Sequence, residues 1–291
     1  MKRSLRRVGG LLVGGGVEPH AVAGEVAKVL VPVADTSPKF GKRTTSRAEC
    51  VLYTFIIEMR RTRVDMVALR SLEPETILAA NDAEPLIKSR ERVDAYGEVF
   101  TPKYMVASML DLVQAELERD PEFVNKTFFE PAAGDGNFLV AILHRKLVAI
   151  QSRFTHREIP NEALFALASI YGIELLRDNC EIAQSLMLAE FVEFLTRLGI
   201  ECGPETDIYC AARHIISVNV KCGNTLTGFN EQKEPLIFSW WHRVEGDSRS
   251  VCREDFTFAS LREAEAGLFD FFTSPDYAIC HIDQVQEEIL S

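Results

Sequence analysis

Phe128-Phe129-Glu130-Pro131-Ala132-Ala133-Gly134-Asp135-Gly136-Asn137-Phe138-Leu139 carries the plainest structural pattern of the chain. An apolar pair ends in an acid, small residues and a Gly-Asp-Gly turn follow, and apolar residues then return at helical spacing. The pattern predicts a strand, a tight turn and a helix. Glycine lets the backbone pass close to a ligand where a Cβ would clash, and a helix start offers free N–H groups to a polar ligand. A dinucleotide loop of the G-x-G-x-x-G kind needs a third glycine where Leu139 stands.

Three further pieces follow the same logic. Upstream, Gly97-Glu98-Val99-Phe100-Thr101-Pro102 precedes an amphipathic helix, with Pro102 suited to its first turn. Val106, Met109, Leu110, Val113 and Leu117 then share one face. Downstream, Ile170-Tyr171-Gly172-Ile173-Glu174-Leu175 reads as a second strand ending in an acid. Val218-Asn219-Val220-Lys221-Cys222-Gly223-Asn224-Thr225-Leu226 closes a third, expected over His214 to Val220. Helices are expected over Phe138 to Ser152, Glu162 to Ser169 and Asp178 to Leu198. Alternating strands and helices predict an α/β parallel sheet covered on both faces. Glu130, Glu174 and Asn224 fall at strand ends, where ligands of such sheets bind.

In this order the pieces resemble S-adenosylmethionine (SAM)-dependent DNA adenine-N6 methyltransferases, and most of all small modification (M) subunits of restriction–modification systems. The resemblance runs from about Arg92 to Gly228. It implies a Rossmann-like methyltransferase core over residues 91–228. Residues 1–90 would form an N-terminal tail with a helical extension, and residues 229–291 a divergent end of the core. It assigns the cofactor to Phe100, Thr101 and Pro102, to Glu130, Pro131, Gly134, Gly136, Asn137 and Phe138, to Glu174 and Leu175, and to Asn224. Glu174 would accept the ribose hydroxyls and Glu130 the methionine amino group. Asn224 stands where the family usually places an Asp beside the adenine ring, so the charge is gone and an amide oxygen remains.

The family polarises adenine N6 with an N/D/S-P-P-Y/F tetrad, whose aromatic residue stacks on a flipped base. The nearest match is Ser274-Pro275-Asp276-Tyr277, in which Asp276 replaces the second proline. Ser274, Pro275 and Tyr277 are therefore catalytic candidates, with a turn before a last strand (Tyr277 to Ile282) as the ordinary reading. Trp240 and Trp241, in an apolar aromatic run over residues 235–241, are candidates for base stacking or an interface. Few residues follow, too few for a target-recognition domain, so sequence-specific DNA methylation would need a specificity subunit. The other reading is a catalytically silent SAM-fold subunit that binds a partner in a restriction or phage-defence complex. A methyltransferase acting on RNA or a small molecule is a third.

The formal charge of −11 over 291 residues argues against nonspecific DNA coating, because phosphate contacts need Lys and Arg. Arg60, Arg61 and Arg63 form one small basic cluster, in a segment (Arg47 to about Arg70) whose periodicity predicts a helix; Glu73 to Lys88 predicts another. Seven cysteines without a C-x-x-C pair suit a reducing cytoplasm. The six histidines show no metal-ligand spacing. No apolar run has membrane-span length. The basic, glycine-rich start over residues 1–17 reads as a flexible tail, as an export signal, or as residues added by a start codon set too far upstream.

Overall fold

The structure is a computed structural model that describes residues 53–54, 87–260 and 277–288. It is a mixed α/β protein with two small sheets. The first is four-stranded and parallel: β1 (Tyr53–Thr54), β2 (Phe128–Glu130), β3 (Ile170–Glu174) and β4 (Val220–Cys222), side by side in that order. The second is antiparallel: β5 (Ile237–Arg243), β6 (Ser250–Thr257) and β7 (Cys280–His281). The helices are α1 (Arg90–Tyr96), α2 (Lys103–Asp111), α3 (Asn137–Arg153), α4 (Ile159–Ala168), α5 (Arg177–Arg197) and α6 (Asp207–Asn219).

Side chains alternate across a strand, and here the alternation sorts two cores. Phe128 and Ile170 point into the larger cluster, with Leu139, Leu143 and Leu147 of α3, Ala163 and Leu167 of α4, Met187 and Phe191 of α5, and Ile215 of α6. Phe129, Tyr171 and Ile173 point the other way, onto Leu236, Phe238 and Phe258. Helices cover one face of the parallel sheet and the β5–β6 hairpin packs against the other. Phe129 and Phe238 meet edge-on, with centroids 6.5 Å apart. Gly172 lets α3 sit close to the sheet, since a Cβ there would lie 2.9 Å from Leu139.

The helices expected over Phe138 to Ser152 and Asp178 to Leu198 are present within a residue, and the one expected from Glu162 starts earlier, at Ile159, but the third strand is a correction. His214 to Asn219 is helical, and only Val220–Cys222 is strand. Thr206 caps α6 by accepting the Tyr209 N–H, and Asp207 complements the positive helix start. Ala211, Ala212, Ile215, Ile216 and Asn219 are buried on one face. The β-branched residues between His214 and Val220 suggest a strand locally, but burial at a spacing of three and four decides for helix. The last strand is also shorter than expected: Cys280–His281 runs straight into a 3-10 turn, Ile282–Glu287.

Upstream, Tyr53–Thr54 pairs with Phe128–Phe129, so these two residues of the expected helix are strand. The rest of that helix, the basic cluster and the tail lie outside the described residues, as does most of Glu73 to Lys88. A short helix not anticipated, α1, is capped by the Ser89 side chain and stopped by Gly97 at φ +68°. The helix after Pro102 ends at Asp111, and a π-helical turn, Ala115–Arg119, brings Leu117 into the core. Among the described residues no helix is long and apolar enough to cross a membrane.

Candidate functional site

β2 ends at Glu130 and β3 ends two residues further along the sheet, because Glu130 lies beside Gly172 while Glu174 lies beside Cys222. The Gly-Asp-Gly turn starts from this edge. Gly134 and Gly136 both take left-handed backbone angles, at φ +57° and +95°, where a Cβ is strained. Gly136 is also the point where α3 meets α5: a Cβ there would lie 2.8 Å from the Ala183 backbone. Asn137 opens α3, whose cap residue Gly136 provides no side chain.

Glu174 is 7% exposed and holds the turn to the sheet. Its Oε2 accepts the Gly134 N–H at 2.8 Å, and its Oε1 accepts the Leu176 N–H at 3.0 Å. Its carbonyl accepts the Gly223 N–H at 2.8 Å, which ties the end of β3 to the end of β4. Glu130, 4% exposed, accepts the Ala132 N–H at 3.1 Å. Burial pushes its carboxyl up to about 7, and the nearby Glu174 charge adds to the rise. An acid that is costly to ionise, at a strand end and beside a second acid, prefers a cationic ligand group.

The upstream element closes over this turn. Phe100 packs on Gly134, where a Cβ would come within 3.3 Å of its ring. The Asn137 side chain donates to the Thr101 carbonyl at 3.4 Å. Phe100, Thr101, Gly134, Asn137, Glu130 and Glu174, drawn from three separate stretches, thus meet at one sheet edge, and Pro102, next in the chain, stands at the start of α2. No family model, curated protein or solved structure matches this chain.

The remaining candidates divide. Pro131 is half-buried, and its carbonyl accepts the Thr225 hydroxyl at 2.5 Å, which brings the β4 end to the loop. Phe138 packs partly against the main core, and Leu175 is exposed at the lip. The Asn224 side-chain oxygen accepts the Leu226 and Thr227 N–H groups at 2.8 and 3.1 Å, so it closes its own turn. Tyr277 donates its hydroxyl to Asp255 at 2.9 Å, and its ring lies 4.2 Å from the Arg253 guanidinium. Asp255 sits beside Ser239, whose carbonyl accepts the Tyr171 hydroxyl. Tyr277 is thus held by the antiparallel sheet and forms no hydrogen bond to the strand-end acids. Ser274 and Pro275 lie outside the described residues.

The aromatic run is largely inside the molecule. Phe238 is buried, Trp241 donates to the Asn219 side chain at 3.0 Å, and Trp240 packs on Phe256 at 5.1 Å. Reading by sequence missed Asn179 and Glu98, two buried polar residues beside Glu174. A signal was present: Asn179 stands in the first turn of α5, directly after the strand that ends at Glu174. Among the described residues no group of three metal-ligating side chains is close enough to hold an ion.

Proposed function

We propose that the chain is a SAM-dependent methyltransferase of restriction–modification type, built on a Rossmann-like core, with DNA adenine N6 as acceptor. One observation carries the reading: Glu174 holds the Gly134 N–H at 2.8 Å while Phe100 covers the same glycine. That leaves a Cβ-free turn, a strand-end acid and an aromatic wall at one edge, the arrangement the sequence resemblance calls for.

The residues fit the cofactor in kind. Glu174 would hold the ribose hydroxyls, and Glu130 the methionine ammonium. Phe100 to Pro102 would wall the methionine end, and the backbone of Gly134 to Gly136 would lie against it without a Cβ between. Bound there, the cofactor's sulfonium supplies the methyl group. The chain's own part is to hold the acceptor amine in line and to exclude water, so that positioning and electrostatics lower the barrier. Sequence-specific action would draw on a specificity subunit. A reducing, cytoplasmic setting agrees with the free cysteines.

The second reading, a catalytically silent SAM-fold subunit that serves a partner in a restriction or phage-defence complex, has its own support. Asn224 spends its oxygen on a turn, and Tyr277 is bonded to Asp255. Transfer of tritium from labelled SAM, measured with duplex DNA, with RNA and without nucleic acid, separates the readings. Label on DNA adenine that needs the strand-end acids supports the enzyme. SAM binding without transfer to any acceptor, even with candidate partners present, supports the silent subunit.

A further inference from the structure

Asn179 lies in the first turn of α5, just after the strand that ends at Glu174, and is 1% exposed. Its Nδ2 donates to Glu98 Oε1 at 2.6 Å and to Glu174 Oε1 at 3.4 Å. Its Oδ1 accepts Lys88 Nζ at 2.5 Å. An ammonium only donates, so the amide oxygen must face Lys88 and the NH2 must face the two acids. Both amide hydrogens are then committed, one to each carboxylate.

Glu98 is fixed from its other side. Arg92 grips it with two parallel hydrogen bonds, Nε to Oε2 at 2.5 Å and Nη2 to Oε1 at 2.7 Å, the geometry in which Arg–carboxylate pairs are strongest. The guanidinium holds the Glu98 carboxyl below its usual range. Arg92 and Lys88 both reach Asp178 as well, at 3.0 and 2.9 Å, which pins α1 and the residues before it to the start of α5. Glu98 stands two residues before Phe100, the residue that covers Gly134.

We infer that Asn179 and Glu98 are positioning residues that hold the Glu174 carboxylate in the rotamer that receives a ribose diol, and that couple it to the Phe100 wall. The inference rests on the SAM reading above. Glu174 has three donors around it: the Gly134 and Leu176 backbone N–H groups and the Asn179 amide. The backbone donors come with the fold. The amide is the adjustable one, and Glu98 and Lys88 determine where it stands.

The test is calorimetry of the full chain with S-adenosylhomocysteine and with its 2′-deoxyribose analogue, on wild type, Asn179→Ala and Glu98→Gln, with thermal melting as the check of folding. A ribose hydroxyl bonded to a charged, well-oriented acid should give wild type about a tenfold preference for the hydroxylated ligand. Asn179→Ala should cut that preference to about twofold or less, and Glu98→Gln to about threefold. A merely structural role lowers affinity for both ligands equally and leaves the tenfold ratio, which overturns the inference while the SAM reading stands. If Asn179→Ala does not fold, Glu98→Gln carries the same comparison. Failure of folded wild type to bind either ligand removes the SAM reading, and the inference with it.

Discussion

The two ends of the parallel strands differ in one respect: both carry hydrogen-bonded polar groups, but only the carboxyl end holds a buried acid that is costly to ionise. At the amino end every buried charge has partners in place. Lys146, 0% exposed, donates to the Val124 carbonyl, the Lys126 carbonyl and the Ser169 hydroxyl at 3.1, 2.6 and 2.6 Å. Arg243 grips Glu162 with two hydrogen bonds and lies 3.6 Å over the Phe165 ring. Asn219 donates to the Ala168 carbonyl and accepts from Trp241. At the carboxyl end two acids lie close together, and one of them is pushed up to about 7. Polar groups that satisfy one another serve stability; groups left electrostatically uneasy at a strand end mark the place for a ligand.

The sharpest way to break this contrast is to empty the amino end. Lys146→Met keeps most of the length and removes the donor, leaving three buried acceptors. A buried acceptor left without its donor costs about 1–3 kcal/mol, so urea unfolding should show a loss of about 3 kcal/mol or more, while the protein that stays folded binds ligand as before. A small loss would mean that the buried ammonium is not the strut its three bonds suggest.

At the carboxyl end the sign is reversed. Glu130 has its folded pKa raised from 4.5 to about 7, so folding favours its protonated form. Its contribution is complete below about pH 4.5 and is lost as the pH rises through 7. Glu130→Gln should therefore be more stable than wild type at pH 8, by about 2–3 kcal/mol, with the difference vanishing near pH 4. Equal stability of the two at pH 8 would contradict the uneasy-acid account. The stabilised variant should also bind SAM less tightly.

Between the two ends, Gly136→Ala forces a Cβ against the Ala183 backbone at φ +95°. It should cost about 2 kcal/mol in urea and loosen the turn that carries Gly134. Smallest of all, Trp241→Phe deletes one bond to Asn219. A loss of about 1 kcal/mol with no change in ligand affinity would confirm that the amino end acts in folding alone.

The carboxyl end was the more legible in sequence, for physical reasons. Its parts are local: a Gly-Asp-Gly turn, an acid closing β2 and another closing β3, and a proline opening a helix all show within a few residues. The amino end depends on distant partners. Nothing near Lys146 announces that Val124, Lys126 and Ser169 surround it, and nothing near Trp241 points to Asn219. The strand misplaced at His214 to Val220 has a related cause. Ile215, Ile216 and Val218 suit either state alone, and the decision came from packing that only the fold reveals. Asn224 and Tyr277 could be read as site residues from neighbours in sequence, but their hydrogen bonds go to a turn and to Asp255. The face of the sheet opposite the helices was expected to be covered; that a hairpin covers it was not apparent, because the contacts of Phe238 with Phe129 and Tyr171 join residues far apart in the chain.

The most direct test of the central claim is a calorimetric titration of the purified chain with SAM, beside Glu174→Ala. The account predicts micromolar binding by wild type, weakened at least about tenfold in the folded variant, since a charged acceptor of ligand hydroxyls is removed. Equal binding by both proteins would place the ligand away from the strand ends, and no binding by folded wild type would contradict the cofactor site altogether.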